Sequence, residues 1–269
     1  MSFELKDNIF IAKERVKESA QILVETDVSF LKTHNGLRPG QIHLFLGLSG
    51  GGKSTIFKTL MLDCWKQKKS FERPSVWYSE ESESDFSTAL AKMPIGESVF
   101  QDKSLQFFSE IDHDLSKKQL FMKLKEMCEN SSILFFDNLT TSKMYSGTYE
   151  QNDNFIMALK KLIVEKNIPL VMFAHTDAKA KEGAKALIQQ NDIRGQKTIV
   201  NHAQFIYILQ QFHIGNDIKS TLRLVKHRAQ EPDHKLYLLN YNPKTGVYDD
   251  VRKLYFTEFR SYFEQRNKL

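Results

Sequence analysis

Short apolar runs alternate with amphipathic stretches through the first two thirds of the chain. Apolar positions at helical spacing predict helices over KSTIFKTLMLDCWKQKK, SKKQLFMKLKEMC and NDNFIMALKKLIVEK. The apolar runs between them, QIHLFLG, SVWYSEE, SSILFFDN and IPLVMFAHT, are predicted strands. Because these strands are continuous apolar runs and not alternating patterns, we expect a parallel sheet covered by helices on both faces.

The last third of the chain has a different pattern. AQFIYILQQF, STLRLVKHR and KLYLLNYN are predicted strands joined by turns, which indicates an antiparallel extension of the sheet. Near the other end, residues 8–25 have the spacing of an amphipathic helix. The predicted fold is therefore α/β, with a mainly parallel sheet, helices on both faces and a C-terminal antiparallel extension. We divide it into a helix or linker at 1–32 and one α/β domain at 33–269.

Composition and charge narrow the classes of protein only slightly. Of the 269 residues, 41% are hydrophobic, and the net charge of +5 permits nucleic-acid binding without requiring it. The two cysteines, Cys64 and Cys128, form no CxxC motif, which argues against a disulfide framework or a zinc site. The sequence has no signal peptide and no apolar run long enough to span a membrane, so we expect a cytoplasmic protein without a membrane partner.

The segment GLSGGGKST, residues 47–55, matches the phosphate-binding pattern G-x-x-x-x-G-K-[ST] between a predicted strand and a predicted helix. Glycines let the backbone N–H groups turn toward phosphate oxygens, and the helix N-terminus adds a partial positive charge. Lys53 is expected to neutralise the β- and γ-phosphates of ATP, and the Ser54 hydroxyl to bind Mg²⁺. The predicted nucleotide-binding residues are Gly47, Gly50, Gly51, Gly52, Lys53, Ser54 and Thr55.

Hydrolysis also needs a carboxylate near the magnesium ion and a base. Asp137 ends the buried strand ILFFD, where it can hold Mg²⁺ through water, but the next residue is Asn138 and not an acid. The base must therefore come from another strand end, and Glu80 and Glu81 in VWYSEES compete for this role. No other predicted strand end offers a carboxylate. The alternative interpretation of this acidic stretch is the solvated start of a helix.

The segment GLRPGQIHLFLGLSGGGKST resembles the opening of the RecA-like P-loop ATPases, in particular the ATPase core of DnaB-type hexameric replicative helicases. In those proteins the catalytic glutamate lies in a Ser-x-Glu motif, so the resemblance of Ser79-Glu80-Glu81 implies that Glu81 is the base. IPLVMFAHTD resembles the family's strand that ends in a γ-phosphate sensor, usually glutamine, and His175 stands at that place. The alternative for His175 is an ordinary histidine at a strand end.

The segment LRLVKHR resembles the Lys-x-Arg motif with which the helicase family reaches the ATP of a neighbouring subunit. The matching residues are Lys226 and Arg228, and alternation along a strand puts them on one side and His227 on the other. The alternative is an ordinary basic strand end. Upstream, residues 192–194 fit the family's Asp-Leu-Arg segment, whereas Gln204 stands where an aspartate is usual.

The resemblance implies a homo-oligomeric ring, expected to be a hexamer, that hydrolyses ATP with Mg²⁺ and moves along single-stranded DNA as a replicative helicase or translocase. DNA in the ring would meet the loops at 139–151 and 177–191. Phosphate contacts from Lys179, Lys181 and Lys185, and base stacking on Tyr145 or Tyr149, are candidate interactions. The alternatives are an ATPase of the RadA or KaiC kind in recombination or regulation, and a nucleotide-switched loader or adaptor without motor activity.

Overall fold

The structure is a computed structural model that describes residues 31, 36–67, 74–93, 98–99, 105–176, 197–214, 217–228, 232 and 235–254. The predicted N-terminal helix, the predicted DNA loop at 177–191 and residues 192–194 lie outside the described residues. Within the described residues, the strands are β1 Ile42–Gly47, β2 Pro74–Tyr78, β3 Gln106–Ser109, β4 Ile133–Asp137, β5 Leu170–His175, β6 Phe205–Ile214, β7 Asp217–His227, β8 Leu236–Asn242 and β9 Val247–Leu254. The helices are α1 Lys53–Gln67, α2 Glu83–Ala91, α3 Lys117–Glu129, α4 Tyr149–Glu165 and α5 Lys197–His202, with 3₁₀ turns at Leu139–Thr141 and Lys143–Tyr145.

All nine strands form one sheet in the order β3-β2-β4-β5-β1-β6-β7-β8-β9. The strands from β3 to β6 are parallel to one another, whereas β7, β8 and β9 are antiparallel to their neighbours. The predicted strands of the antiparallel extension are antiparallel to one another, and the first of them, β6, also pairs in parallel with β1. The chain between β5 and β6 carries α5 and is long enough for the crossover that parallel strands need.

The sheet has a hydrophobic core on each face. On one face Phe57 of α1 packs edge-on against Phe135 and Phe173, with ring centroids 5.7 and 5.6 Å apart. On the other face, Leu120 of α3 and Ile156 of α4 are fully buried against residues from the same strands. Because successive residues of a strand point to opposite faces, both helical layers are fixed by the continuous apolar runs of the sequence.

Each of α2, α3 and α4 begins with a capping box, in which the N-cap hydroxyl and the third helical side chain satisfy backbone donors reciprocally. The α2 box consists of Ser82 and Asp85, and Glu83 also lies in the first turn of that helix. Most of the acidic stretch after β2 is therefore a solvated helix start, as the alternative interpretation predicted. Glu80 and Glu81 precede the helix, which leaves them as the carboxylates that follow β2 directly.

Cys64 and Cys128 are both buried and not disulfide-bonded. Burial raises the pKa of the Cys128 thiol to about 12, so this cysteine is a packed apolar group and not a nucleophile. No helix in the described part of the chain is long and apolar enough to cross a membrane.

Candidate active site

The phosphate loop, residues 47–52, connects the central strand β1 to α1. Gly50 and Gly52 adopt φ angles of +71° and +89°, in the left-handed region that side chains other than glycine avoid. The loop is closed by the N–H of Gly51, which donates to the Leu48 carbonyl, while the Gly52 carbonyl accepts the first hydrogen bonds of α1. The predicted phosphate cradle is thus formed at the N-terminus of a helix.

A cavity of about 300 Å³ lies over the phosphate loop, and we call it the nucleotide cavity. The carboxyl ends of β1, β2, β4 and β5 meet at this edge of the sheet, where ligands bind in open α/β sheets. Of the predicted site residues, Gly47, Gly51, Glu81, Lys226 and Arg228 do not line it. Its lining residues are Ser49, Gly50, Gly52, Lys53, Ser54, Thr55, Glu80, Asp137 and His175.

Lys53 is 6% exposed and its ammonium group is held by three acceptors. Its Nζ donates to the carbonyls of Gly47 and Leu48 at 3.2 and 2.8 Å and lies 2.8 Å from Nδ1 of His175. Burial lowers the pKa of Lys53, while the charges of Asp137 and Glu80 oppose that shift. An ammonium group without an ion-pair partner among the described residues is well placed to bind an anion in the cavity.

His175 connects Lys53 to Glu80. Because Lys53 donates to Nδ1, we assign the histidine proton to Nε2, which lies 3.1 Å from Oε1 of Glu80 and donates to it. The same carboxylate oxygen accepts a second hydrogen bond from Nδ2 of Asn138, at 3.3 Å. Glu80 is 40% exposed but has two donors, so its carboxylate is held at a defined place on the cavity wall.

Ser79 determines where Glu80 lies. The Ser79 hydroxyl donates to the Asn138 carbonyl at 2.6 Å and accepts from the Asn138 N–H at 3.0 Å, which joins the ends of β2 and β4. The next residue, Glu80, thereby meets the Asn138 side chain, whereas the Glu81 carbonyl turns to the hydroxyl of Ser109 at 2.7 Å. The structure therefore brings Glu80 and not Glu81 to the nucleotide cavity, although a catalytic role for either residue stays a prediction.

Asp137 is a buried carboxylate that faces the cavity without a hydrogen-bond donor among the described residues. Burial raises the pKa of its carboxyl group to about 7, and the charges of Glu80 and Glu81 add to the shift while Lys53 opposes it. The Asp137 carboxylate and the Ser54 hydroxyl both line the cavity and are hard oxygen donors, which fit Mg²⁺ that takes its remaining ligands from water and phosphates. A bound cation would favour the ionised form of Asp137.

We expect protons to compete with Mg²⁺ at Asp137 below about pH 7. Since the carboxyl pKa is raised to about 7, the ionised fraction falls as the pH is lowered, and apparent Mg²⁺ affinity should fall by about fivefold between pH 7 and 6. Between pH 8 and 9 it should change little. Titrations of Mg²⁺-dependent ATP binding from pH 6 to 9 measure this, and the Asp137→Asn variant controls for protonation of the nucleotide. The same pH profile in both proteins would contradict the assignment.

Lys226 and Arg228 lie at the end of β7 on the same side, as the predicted alternation requires. Their side chains donate to the carbonyls of Val200 and Asn201, at 2.6 and 2.7 Å, near the end of α5. His227 points the other way and is buried. Cations at the carbonyl end of a helix are stabilising, so these two residues have a structural role within their own chain.

A third cation, Lys160 of α4, lies close enough to act on this pair. The pKa of Lys226 is lowered by burial, then by the charges of Arg228 and Lys160. None of the three forms an ion pair with a carboxylate of the described residues. The three cations therefore repel one another, and an anion shared among them would stabilise the cluster.

The first predicted DNA loop, residues 139–151, is partly buried. Tyr145 is 8% exposed, packs near Phe155 and shares a hydrogen bond with Thr198, so of the two tyrosines predicted to stack on bases it is the one that the structure disfavours. Tyr145 completes the core beneath α4, a role that the sequence pattern did not distinguish from an exposed aromatic residue. Tyr149 is 61% exposed and remains a candidate.

Glu110 is a carboxylate at a strand end that the sequence analysis did not find, because the short strand β3 was not predicted. It is 1% exposed and accepts hydrogen bonds from Trp77 Nε1 and Ser142 Oγ, both at 2.6 Å, and from the Lys143 N–H at 2.9 Å. It does not line the nucleotide cavity. Its hydrogen bonds fix the loop that follows Asn138, which makes it a structural carboxylate.

Comparisons with known proteins support the fold. No family model matches the chain, and a search of curated proteins finds no sequence match. The structure is similar to that of a KaiC-like protein from the hyperthermophilic archaeon Pyrococcus horikoshii OT3, with a TM-score of 0.59 and 15% identity over 81% of this chain and 93% of that one. At this identity the similarity establishes the fold alone. The chain has the RecA-like P-loop fold, and the predicted fold class is confirmed.

Proposed function

We propose that this protein is an ATPase whose subunits form a ring and use ATP hydrolysis to move along single-stranded DNA, as a helicase or translocase in replication. The observation that carries the proposal is the nucleotide cavity, which joins a phosphate loop to Asp137, Glu80 and His175 at one edge of the sheet. These are the parts that hydrolysis of a nucleoside triphosphate needs: phosphate binding, a metal carboxylate and a base.

Each residue of the cavity has a separate role in the proposed hydrolysis. Lys53 and the first-turn amides of α1 bind the β- and γ-phosphates, and Ser54 and Asp137 hold Mg²⁺. When bound, Mg²⁺ neutralises charge on the phosphates. Glu80 orients the attacking water and accepts its proton, because it is the carboxylate held on the cavity wall. This proposal replaces Glu81, which the Ser-x-Glu resemblance favours, with its neighbour.

His175 couples the two halves of the site. In this structure its imidazole accepts from Lys53 and donates to Glu80, so a phosphate that draws Lys53 toward itself also acts on the partner of the base. This arrangement supports the sensor role that the family resemblance implies for His175. The bridge consists of a neutral imidazole between a cation and an anion, an arrangement that satisfies both ring nitrogens.

We propose that Lys226 and Arg228 act on the nucleotide of an adjacent subunit. Three observations support the proposal: the two side chains share one side of β7, they do not line their own cavity, and they have no carboxylate partner among the described residues. The shared anion that would relieve their repulsion is a γ-phosphate from the adjoining copy. Their hydrogen bonds to the α5 carbonyls would then give way to phosphate contacts.

Single-stranded DNA is proposed as the track because the two segments predicted to contact it, residues 139–151 and 177–191, come after β4 and β5 in the sequence, the strands that end in Asp137 and His175. On the first of these segments Tyr149 is 61% exposed and Lys143 is also exposed, which provides a stacking surface and a phosphate contact. The net charge of +5 is compatible with this partner.

A second candidate is an ATPase of the KaiC or RadA kind, whose hydrolysis serves regulation or recombination. The specific observation in its favour is the structural similarity to the KaiC-like protein of Pyrococcus horikoshii. The two candidates use the same nucleotide cavity, and they differ in whether DNA accelerates hydrolysis and whether strands are separated.

The motor proposal is tested by mass measurement with a non-hydrolysable ATP analogue, followed by ATPase and strand-separation assays with and without single-stranded DNA. We expect a ring in the analogue, hydrolysis stimulated several-fold by DNA, and unwinding. A ring whose hydrolysis ignores DNA would favour the KaiC or RadA kind. A monomer without hydrolysis would favour the loader or adaptor.

Subunit mixing tests the shared site. Arg228→Ala lacks the proposed trans cation and Lys53→Ala lacks the phosphate lysine, so each should be inactive alone. In a random equal mixture, half of the subunits have an intact Lys53, and half of these lie beside a neighbour with an intact Arg228. Up to about a quarter of wild-type activity should therefore return. Mixing Arg228→Ala with Asp137→Ala should restore activity equally, because Asp137 belongs to the same half of the site as Lys53. Absence of recovery at every ratio would contradict sites formed between subunits.

A further inference from the structure

The hairpin of β8 and β9 contacts the phosphate loop through the side chain of Tyr248. Tyr248, near the start of β9, is 6% exposed. A Cβ built on Gly52 would lie 2.5 Å from the Tyr248 hydroxyl oxygen, which is closer than real side chains come. The hydroxyl therefore occupies the space directly against Gly52, the glycine that immediately precedes α1.

The Tyr248 hydroxyl is itself held by a neighbouring strand. It donates to the Ser220 hydroxyl of β7 at 3.1 Å, and the same serine oxygen accepts from Gln211 Nε2 of β6 at 3.4 Å. Burial raises the pKa of Tyr248, so its hydroxyl is a protonated donor at neutral pH. Side chains from β6, β7 and β9 thus form one hydrogen-bonded group that lies against Gly52.

The backbone of Tyr248 makes a second contact with the same helix. Its N–H donates to the Thr59 hydroxyl at 3.0 Å, and that hydroxyl donates to the Thr55 carbonyl at 2.8 Å. One residue of the hairpin is therefore joined both to the last glycine of the loop and to the first turns of α1. These are the two elements whose N–H groups would bind phosphates.

We propose that Tyr248 is a positioning residue for the nucleotide, whose hydroxyl, fixed by Ser220, holds Gly52 in the conformation that binds phosphate. The proposal rests on the nucleotide-binding role proposed above for the phosphate loop. None of the sequence patterns at the phosphate loop contains Tyr248, because it lies about 200 residues further along the chain.

A support for the loop should act on binding and not on the chemical step. The loop holds the β-phosphate in the same way before, during and after hydrolysis, so weakening it removes interactions that are equal in the ground and transition states. The expected signature is a higher dissociation constant and a higher KM with an unchanged kcat. ADP and ATP should be affected equally, because the β-phosphate is common to both.

The test is Tyr248→Phe, which removes only the hydroxyl. We expect the dissociation constants of ATP and ADP to rise by about three- to tenfold, and kcat to stay within about twofold. Ser220→Ala should have a similar effect. The double variant should bind nucleotide as tightly as the weaker-binding single variant, because the two hydroxyls act as one unit. The matched control is Tyr241→Phe on the same hairpin, whose side chain is 57% exposed and which should bind nucleotide as the wild type does.

Each outcome separates this inference from the function on which it rests. Failure of the wild-type protein to bind ATP would overturn the proposed function itself. If the wild type binds ATP and Tyr248→Phe has the same dissociation constants, only the positioning role of Tyr248 is overturned. This holds even if the melting temperature of Tyr248→Phe is lower. A loss confined to kcat, or additive losses in the double variant, would also overturn it. If Tyr248→Phe does not fold, Ser220→Ala decides on the same criteria.

Discussion

Replacing Glu80 with glutamine is expected to lower the rate of ATP hydrolysis by about a hundredfold or more, while ATP affinity stays within about threefold of wild type. Glutamine has nearly the same shape and its carbonyl oxygen can still accept from His175 and Asn138, so the cavity wall is preserved. What is lost is the basicity that accepts a proton from water. Single-turnover hydrolysis and a fluorescent-nucleotide titration measure the two quantities separately.

Glu81→Gln is the matched control for this prediction. Glu81 carries the same charge one residue away but does not line the cavity, so its replacement should change turnover by less than about threefold. The reverse result, a silent Glu80→Gln and a dead Glu81→Gln, would restore the assignment implied by the Ser-x-Glu resemblance. It would also mean that nucleotide binding rearranges the segment after β2.

Replacing Lys53 with alanine should weaken ATP binding by at least about a hundredfold. Lys53 is the only lysine or arginine among the described residues that line the cavity, whereas Asp137 and Glu80 both face it. Its removal therefore leaves two carboxylates without a neighbouring cation, so that the site repels a triphosphate more strongly, besides removing charge-assisted hydrogen bonds. Isothermal titration with ATP and Mg²⁺ measures the loss.

Lys58→Ala is the corresponding control on the same helix. The charge of Lys58 also acts on Asp137, but the side chain does not line the cavity. We expect its replacement to leave ATP affinity within about threefold of wild type, since a more distant charge is screened by solvent. If Lys53→Ala binds ATP as tightly as the wild type, the proposal that the phosphate loop binds the phosphates of ATP is contradicted.

The phosphate loop and its strand and helix were predictable because their signals are local. Glycines at Gly50 and Gly52, the lysine after them and the apolar run before them all lie within a dozen residues. The choice between Glu80 and Glu81 was not predictable in this way. It depends on the hydrogen bonds of Ser79 to Asn138, which join positions 59 apart in the chain.

Other differences from the sequence analysis also come from tertiary contacts. The strand β3 has only four residues, too few for a periodic signal, and its absence from the prediction hid Glu110. The direction of β6 follows from the crossover before it and not from its own apolar residues. Tyr248 gains its importance only because β9 folds back onto α1, and neither its neighbours in sequence nor its residue type indicated this contact.

The place of β1 in the sheet has a consequence for biosynthesis. Its two neighbours are β5 and β6, which are translated long after it, so the strand that leads into the phosphate loop waits for both of its partners. Until residues beyond 205 leave the ribosome, an apolar strand has unpaired backbone groups along at least one side and is prone to aggregate. The nascent polypeptide therefore becomes able to bind a nucleotide only late in translation. Until then β1 is exposed to chaperones.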